Sequence, residues 1–243
     1  MSGRTRHLLD GELSIVGHMP QGPPLGVATV VPDFTFDRHG KHRRGSVFAR
    51  ALRDEGIAAY GFDAEGSGLA GASAEWSPKP WEAMTSQVCR ARAAVAGQHP
   101  QDTRHVLIGI GIGGVTTVLS AVHTPPTAMV LIGSDLVQRV RFVVTGLAGV
   151  RGGEQLLPSR VFRDRERLAP RDRLAELNIP VLCVHGGRDP RFRLADNDLS
   201  DYGAQVISVS DVADPLQSHS STALTARTVR KWMAEAGAIP SDS

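Results

Sequence analysis

The residues best placed to do chemistry lie around the run Gly109-Ile-Gly-Ile-Gly-Gly114, which closes an apolar strand pattern and opens a helical one. In that setting a G-x-S-x-G turn presents a nucleophilic serine, and here Gly111 stands in the serine's place. Glycine cannot form an acyl-enzyme, yet it adopts the strained turn more easily than serine does. The turn keeps its backbone N–H groups at a helix N-terminus, which bind a carbonyl oxygen and stabilise negative charge developing on it. A carbonyl polarised in this way acidifies the C–H beside it. A nearby carboxylate can then take that proton, which is the chemistry of epimerisation, isomerisation and elimination.

Two side chains suit proton transfer by type and position. Asp33 follows an apolar strand, where it serves either as a base or as a turn cap. His219, in Gln-Ser-His-Ser-Ser, has a side-chain type that titrates near neutrality, although the same position also reads as the exposed start of a helix. Asp135, at the carboxyl end of another strand pattern, is a further acid beside the same edge.

These residues must be positioned by strands and helices. The short runs Gly26 to Val31, Ile57 to Asp63, His105 to Gly111, Ala128 to Ser134, Pro180 to Gly187 and Ala204 to Asp211 are rich in Val, Ile or Leu and bounded by Gly, Pro or Asp. They read as strands buried on both faces of a mostly parallel sheet. Leu8 to Met19, with its Asp10-Gly11 turn, predicts a leading antiparallel hairpin. Helical stripes are formed by Val47, Phe48, Ala51 and Leu52 and by Trp81, Met84, Val88 and Val95. A third helix is expected from Ile112 to about His123, and a last one from about Ser221, carrying Leu224, Thr228 and Trp232 at four-residue spacing. The pattern is that of an α/β protein with a core over 1–134 and 176–243. The glycine- and arginine-rich stretch 135–175 breaks the rhythm and is expected to form a cap or lid.

Composition narrows the function classes. At 243 residues, 41% hydrophobic and 21% charged, the chain is long enough for one well-covered α/β domain. Its net charge is only +2, and the basic stretch Arg160 to Arg173 is interleaved with Asp164, Glu166 and Asp172, which argues against nucleic-acid binding. No apolar run approaches the ~18 residues of a membrane span and the first ten residues lack a signal-peptide core, so no membrane association and a cytoplasmic location are expected. Cys89 and Cys183 fall in apolar helix and strand patterns, implying neither a disulfide nor a metal site, and no cofactor is expected.

The order of landmarks resembles the α/β-hydrolase superfamily over most of residues 8 to 236. Those landmarks are strand Gly26–Val31, strand Ile57–Asp63 followed by Ala64-Glu65-Gly66-Ser67-Gly68, the Gly109–Gly114 turn, and Pro180-Val-Leu-Cys-Val-His-Gly-Gly-Arg-Asp-Pro190. The resemblance implies an α/β-hydrolase fold, a mostly parallel sheet flanked by helices with a small cap. It places Asp189 at the position of the triad acid and puts Asp214, or a near neighbour, at that of the triad histidine, so that Asp214 joins Asp33 as an expected proton carrier. It implies an oxyanion hole made by the N–H of Ile112 and one from the loop after the first parallel strand, around Phe34, with Thr35, Gly111 and Asp135 bordering the ligand.

Lacking the serine and the aligned histidine, the chain is similar to the triad-less α/β-hydrolase-fold peptide epimerase of the bottromycin pathway. A non-hydrolytic epimerase or isomerase acting on a small-molecule or modified-peptide ligand is therefore expected. A ligand-binding pseudohydrolase, or a hydrolase with a relocated nucleophile such as Ser67 or Ser134 paired with His219, are the alternatives.

Overall fold

A computed structural model describes residues 4–11, 13–33, 38–39, 43–63, 79–134, 136, 168–189, 199–209 and 211–241. The hydrophobic strands assemble as β1 (Arg4–Asp10), β2 (Leu13–Met19), β3 (Gly26–Val31), β4 (Ile57–Asp63), β5 (His105–Ile110), β6 (Ala128–Ile132), β7 (Val181–Gly186) and β8 (Ala204–Val209). They form one eight-stranded sheet in the order β1-β2-β4-β3-β5-β6-β7-β8. The hairpin β1–β2 pairs antiparallel and joins β4 antiparallel, and every pairing from β4 through β8 is parallel. The expected hairpin starts earlier than Leu8, because Arg4 already pairs with Met19.

Alternation along each strand divides the apolar residues between two cores. Val27, Tyr60, Phe62, Leu107, Leu131 and Cys183 face one side, where they meet Trp81, Met84, Val88 and Val95 of α2 (Pro80–Ala96) and Val115 and Val118 of α3 (Gly113–His123). Val30, Ala59, Ile108, Val130 and Val184 face the other, against Phe48 and Leu52 of α1 (Arg44–Asp54). A short helix, α4 (Pro170–Glu176), places Leu174 in the first core, so the end of the stretch expected to form a cap packs against the sheet's own helices. The rest of that stretch, apart from Leu136 and residues 168–169, lies outside the described residues.

In the last helix, α5 (His219–Glu235), Trp232 is buried but Leu224, at the same four-residue spacing, is not. The helix's buried stripe is Thr222, Thr225, Ala226, Val229, Trp232 and Met233, whereas Leu224 is 43% exposed. The buried Thr225 hydroxyl is satisfied by the carbonyls of Ser221 and Pro215, at 2.8 and 3.0 Å. The helix starts two residues before Ser221 because Ser218 and Ser221 form a reciprocal capping box. No described helix is long and apolar enough to cross a membrane.

At the amino-terminal edge of the sheet, His105 is buried with its Nε2 2.8 Å from the Thr29 hydroxyl. Burial, reinforced by the positive charge of Arg92, pushes its pKa from 6.5 down to about 3. Between those values the unfolded imidazole binds a proton that the folded one refuses, so stability is full above pH 6.5 and falls as the pH drops toward 3. Moving from neutrality to about pH 4 is expected to cost roughly 3 kcal/mol through this residue. Urea titrations across that range check it: His105→Gln should flatten the profile, and an unaltered acid limb would refute the assignment.

Candidate active site

Parallel strands end on one edge, and that edge collects the residues of interest. Asp33 lies two residues past β3, Gly111 joins β5 to α3, Asp63 ends β4, Ser134 follows β6, Asp189 follows β7, and the turn 211–218 follows β8. Gly111 has φ of 56°, in the left-handed region that a β-carbon disfavours. Its N–H donates to the Ile132 carbonyl at 3.0 Å, and its carbonyl accepts the Gly114 N–H at 3.1 Å.

The neighbouring glycines are packing requirements. A β-carbon on Gly113 would collide with the Pro32 carbonyl, and one on Gly114 with the Ser134 side chain. On Gly109 it would lie 2.6 Å from the Gly114 Cα. The β5–α3 turn is therefore pressed against the ends of β3 and β6, which carries the chain of Asp33 to the turn.

The result is a specific juxtaposition. A β-carbon built on Gly111 would sit 2.5 Å from Oδ2 and 3.1 Å from Cγ of Asp33. A carboxylate occupies the space that a side chain at the turn would need. Ile112, the N-cap of α3, is half-buried beside it, and its carbonyl accepts the Val115 N–H at 3.1 Å.

The other expected residues are placed differently. Asp214 is tied down on both carboxylate oxygens: Oδ1 accepts the Leu216 N–H at 2.8 Å and Oδ2 pairs with Arg44. It is a turn-forming, ion-paired acid that fixes α1 to the segment before α5. His219 is exposed on the first turn of α5, immediately after the Ser218 cap. Asp189 is 2% exposed, and its N–H closes the β7 turn on the Gly186 carbonyl at 3.0 Å. Ser134 is buried, its hydroxyl 3.2 Å from the Gly109 carbonyl and 3.4 Å from that of Ile132, as befits a side chain bracing the turn. Phe34, Thr35, Asp135 and Ser67 lie outside the described residues. Among those that are described, Asp33 is the acid brought against Gly111.

Sequence reasoning passed over a second buried acid. Asp63, fully buried at the end of β4, accepts the Arg38 N–H at 2.8 Å on Oδ1 and pairs with the Arg38 guanidinium through Oδ2. The signal was the basic run Arg38 to Arg44, two of whose members neutralise Asp63 and Asp214. No cluster of three or more potential metal ligands occurs among the described residues.

No family model matches the sequence, and no curated protein is similar to it at the sequence level. Solved structures are similar in fold. Est1E from Butyrivibrio proteoclasticus with ferulic acid bound superposes with a TM-score of 0.70 at 16% identity, over 96% of this chain and 99% of that one. The dienelactone hydrolase of Anabaena variabilis gives 0.65 at 15% identity over 97% and 99%. Proline iminopeptidase from Mycobacterium smegmatis gives 0.66 at 13% identity over 96% and 98%. With its hairpin-led, otherwise parallel eight-stranded sheet flanked by helices, the chain has the α/β-hydrolase fold.

Proposed function

We propose that the chain is a non-hydrolytic enzyme on this fold, moving a proton at a carbon next to a carbonyl in a modified peptide or a similarly built small molecule. The observation that carries this reading is the Asp33 carboxylate at Gly111, a base where a hydrolase of this fold holds its nucleophile. The substrate carbonyl is taken to sit over the N-terminus of α3, with the Ile112 N–H directed at its oxygen. Asp33 removes the α-proton, the C–H electron pair passes into the carbonyl as an enolate, and the oxygen's negative charge is held by backbone donors. Returning a proton to carbon completes an exchange, and returning it to the opposite face inverts the centre. No bond to the carbonyl carbon is made or broken, so no acyl-enzyme forms and no water is consumed.

Asp33 is preferred to Asp214 as the proton carrier because it is the carboxylate set against Gly111, whereas Asp214 is held by Arg44 and the Leu216 N–H in the turn before α5. A covalent triad is disfavoured by the lack of a side chain at Gly111 and by the exposure of His219. Since the members of such a unit act together, an acid at Asp189 has little to work with when the serine and the aligned histidine are missing.

The test is incubation in D₂O with a panel of acylated dipeptide amides, esters and thioesters, read by mass spectrometry. Incorporation of one deuterium at the α-position with the carbonyl derivative intact is the expected result. Ester or amide cleavage with covalent labelling by a fluorophosphonate would overturn the reading. Saturable binding with no exchange would replace it with the pseudohydrolase.

A further inference from the structure

A cleft that the proposed reaction does not use lies at the opposite edge of the sheet from Asp33 and Gly111. There the starts of β3 and β5, the residue before β6, and the carboxyl-terminal ends of α2 and α3 surround a cleft of about 500 Å³. That is within the size range of small-molecule sites. Its walls combine apolar surface from Ala93, Ala96 and Pro125 with the polar side chains of Arg92, His99 and His105.

The charge balance of this cleft is uneven. Among the described residues, none of those lining it is acidic. Arg92 donates to the carbonyls of Thr124 and, at 2.8 Å, of Pro125, so its guanidinium is held in place by neutral groups that cap the end of α3. Those bonds take two of the five N–H donors of a guanidinium and leave three. No carboxylate pairs with Arg92 among the described residues, although Arg38, Arg44, Arg53, Arg90, Arg173 and Arg188 all have one. Burial lowers the Arg92 pKa from its ordinary value, as expected of a desolvated cation without a counter-charge.

The two histidines do not add positive charge at neutral pH. Burial holds both below the usual imidazole range, His105 bonded to the Thr29 hydroxyl and His99 bonded through Nε2 to the Tyr60 hydroxyl at 2.9 Å. They offer neutral ring nitrogens rather than charge. One fixed guanidinium, neutral polar neighbours and apolar walls complement a ligand with one negative charge and a hydrocarbon body. A phosphate dianion would ask for a second cation.

We propose that this cleft is a binding site for a small organic carboxylate, its anionic end held by Arg92 and its apolar body against Ala93, Ala96 and Pro125. The site lies apart from Asp33 and Gly111, so it stands or falls independently of the proposed proton transfer.

Benzoate, benzamide and inorganic phosphate, each titrated into the full-length chain at low ionic strength and followed by calorimetry and by NMR, test the proposal. Benzoate is expected to bind at one site with Kd on the order of 1 mM or tighter, and neutral benzamide about tenfold more weakly. Arg92→Gln should abolish the preference but also removes the cap on α3. Ala96→Glu therefore provides the second variant: four residues on along α2, it supplies an internal carboxylate to an intact Arg92. It should weaken benzoate by about tenfold, with Ala96→Gln as the neutral control. Equal affinity for benzoate and benzamide, tighter binding of phosphate, indifference to Ala96→Glu, or no saturable benzoate binding would each overturn the proposal.

Discussion

Asp33→Asn is expected to slow deuterium entry at the α-position of responsive probes by about 10² to 10⁴, the usual contribution of a positioned general base. Asparagine preserves the shape of the side chain against Gly111 while removing its negative charge and its ability to take a proton. The thermal midpoint should therefore stay within about 2 °C of the parent, as befits a change that opens no cavity. The combination separates catalysis from structure, because a carboxylate that merely braced the turn would cost stability and leave residual exchange unaltered in the folded fraction. Full exchange activity in a stable Asp33→Asn variant would remove Asp33 from the mechanism. A serine at Gly111 does not restore a hydrolase by itself: its β-carbon would meet the Asp33 carboxylate at 2.5 Å and would have to tolerate a φ of 56°. Base and nucleophile are thus alternative occupants of one space.

That exclusion explains which parts of the molecule were legible in the chain. The strands Gly26–Val31 and Ile57–Asp63 have the bounds expected of them, because strands covered on both faces are written as unbroken apolar runs closed by turn residues. The turn at Gly111 was legible for the same local reason. Its contact with Asp33 was not, since it depends on how closely α3 approaches Pro32, a distance set by Gly113 acting across the sheet. Which face α5 buries was not legible from residue type. Thr225 buries well because its hydroxyl bonds within the helix and to the preceding turn, and Leu224 is left in solvent. Asp214 illustrates the converse. Alignment by landmarks put it where a catalytic histidine belongs, but its bonding to Leu216 and Arg44 answers to the local Asp-Pro turn and to α1.

Breaking the Asp63–Arg38 pair is expected to have the largest effect on stability. The Asp63 side chain is wholly buried and that of Arg38 is 12% exposed, so removing either partner strands a charge in a poorly solvated place. Asp63→Ala should cost about 3 to 5 kcal/mol, which for a chain of this size lowers the thermal midpoint by about 10 °C. The pair does more than neutralise charge. Through its backbone N–H and its guanidinium Arg38 is fastened to the end of β4, so the chain that leaves the sheet with Asp33 is anchored again five residues later. Loss of the anchor should therefore slow α-proton exchange in the variant even at temperatures where it remains folded. Replacing both partners by apolar residues, as in Asp63→Leu with Arg38→Met, removes the stranded charge and should recover most of the stability, whereas exchange should remain slow because the backbone tether is still missing. A double variant that regained both would show that the pair contributes through charge alone; one that regained neither would place its importance in the shape of the site.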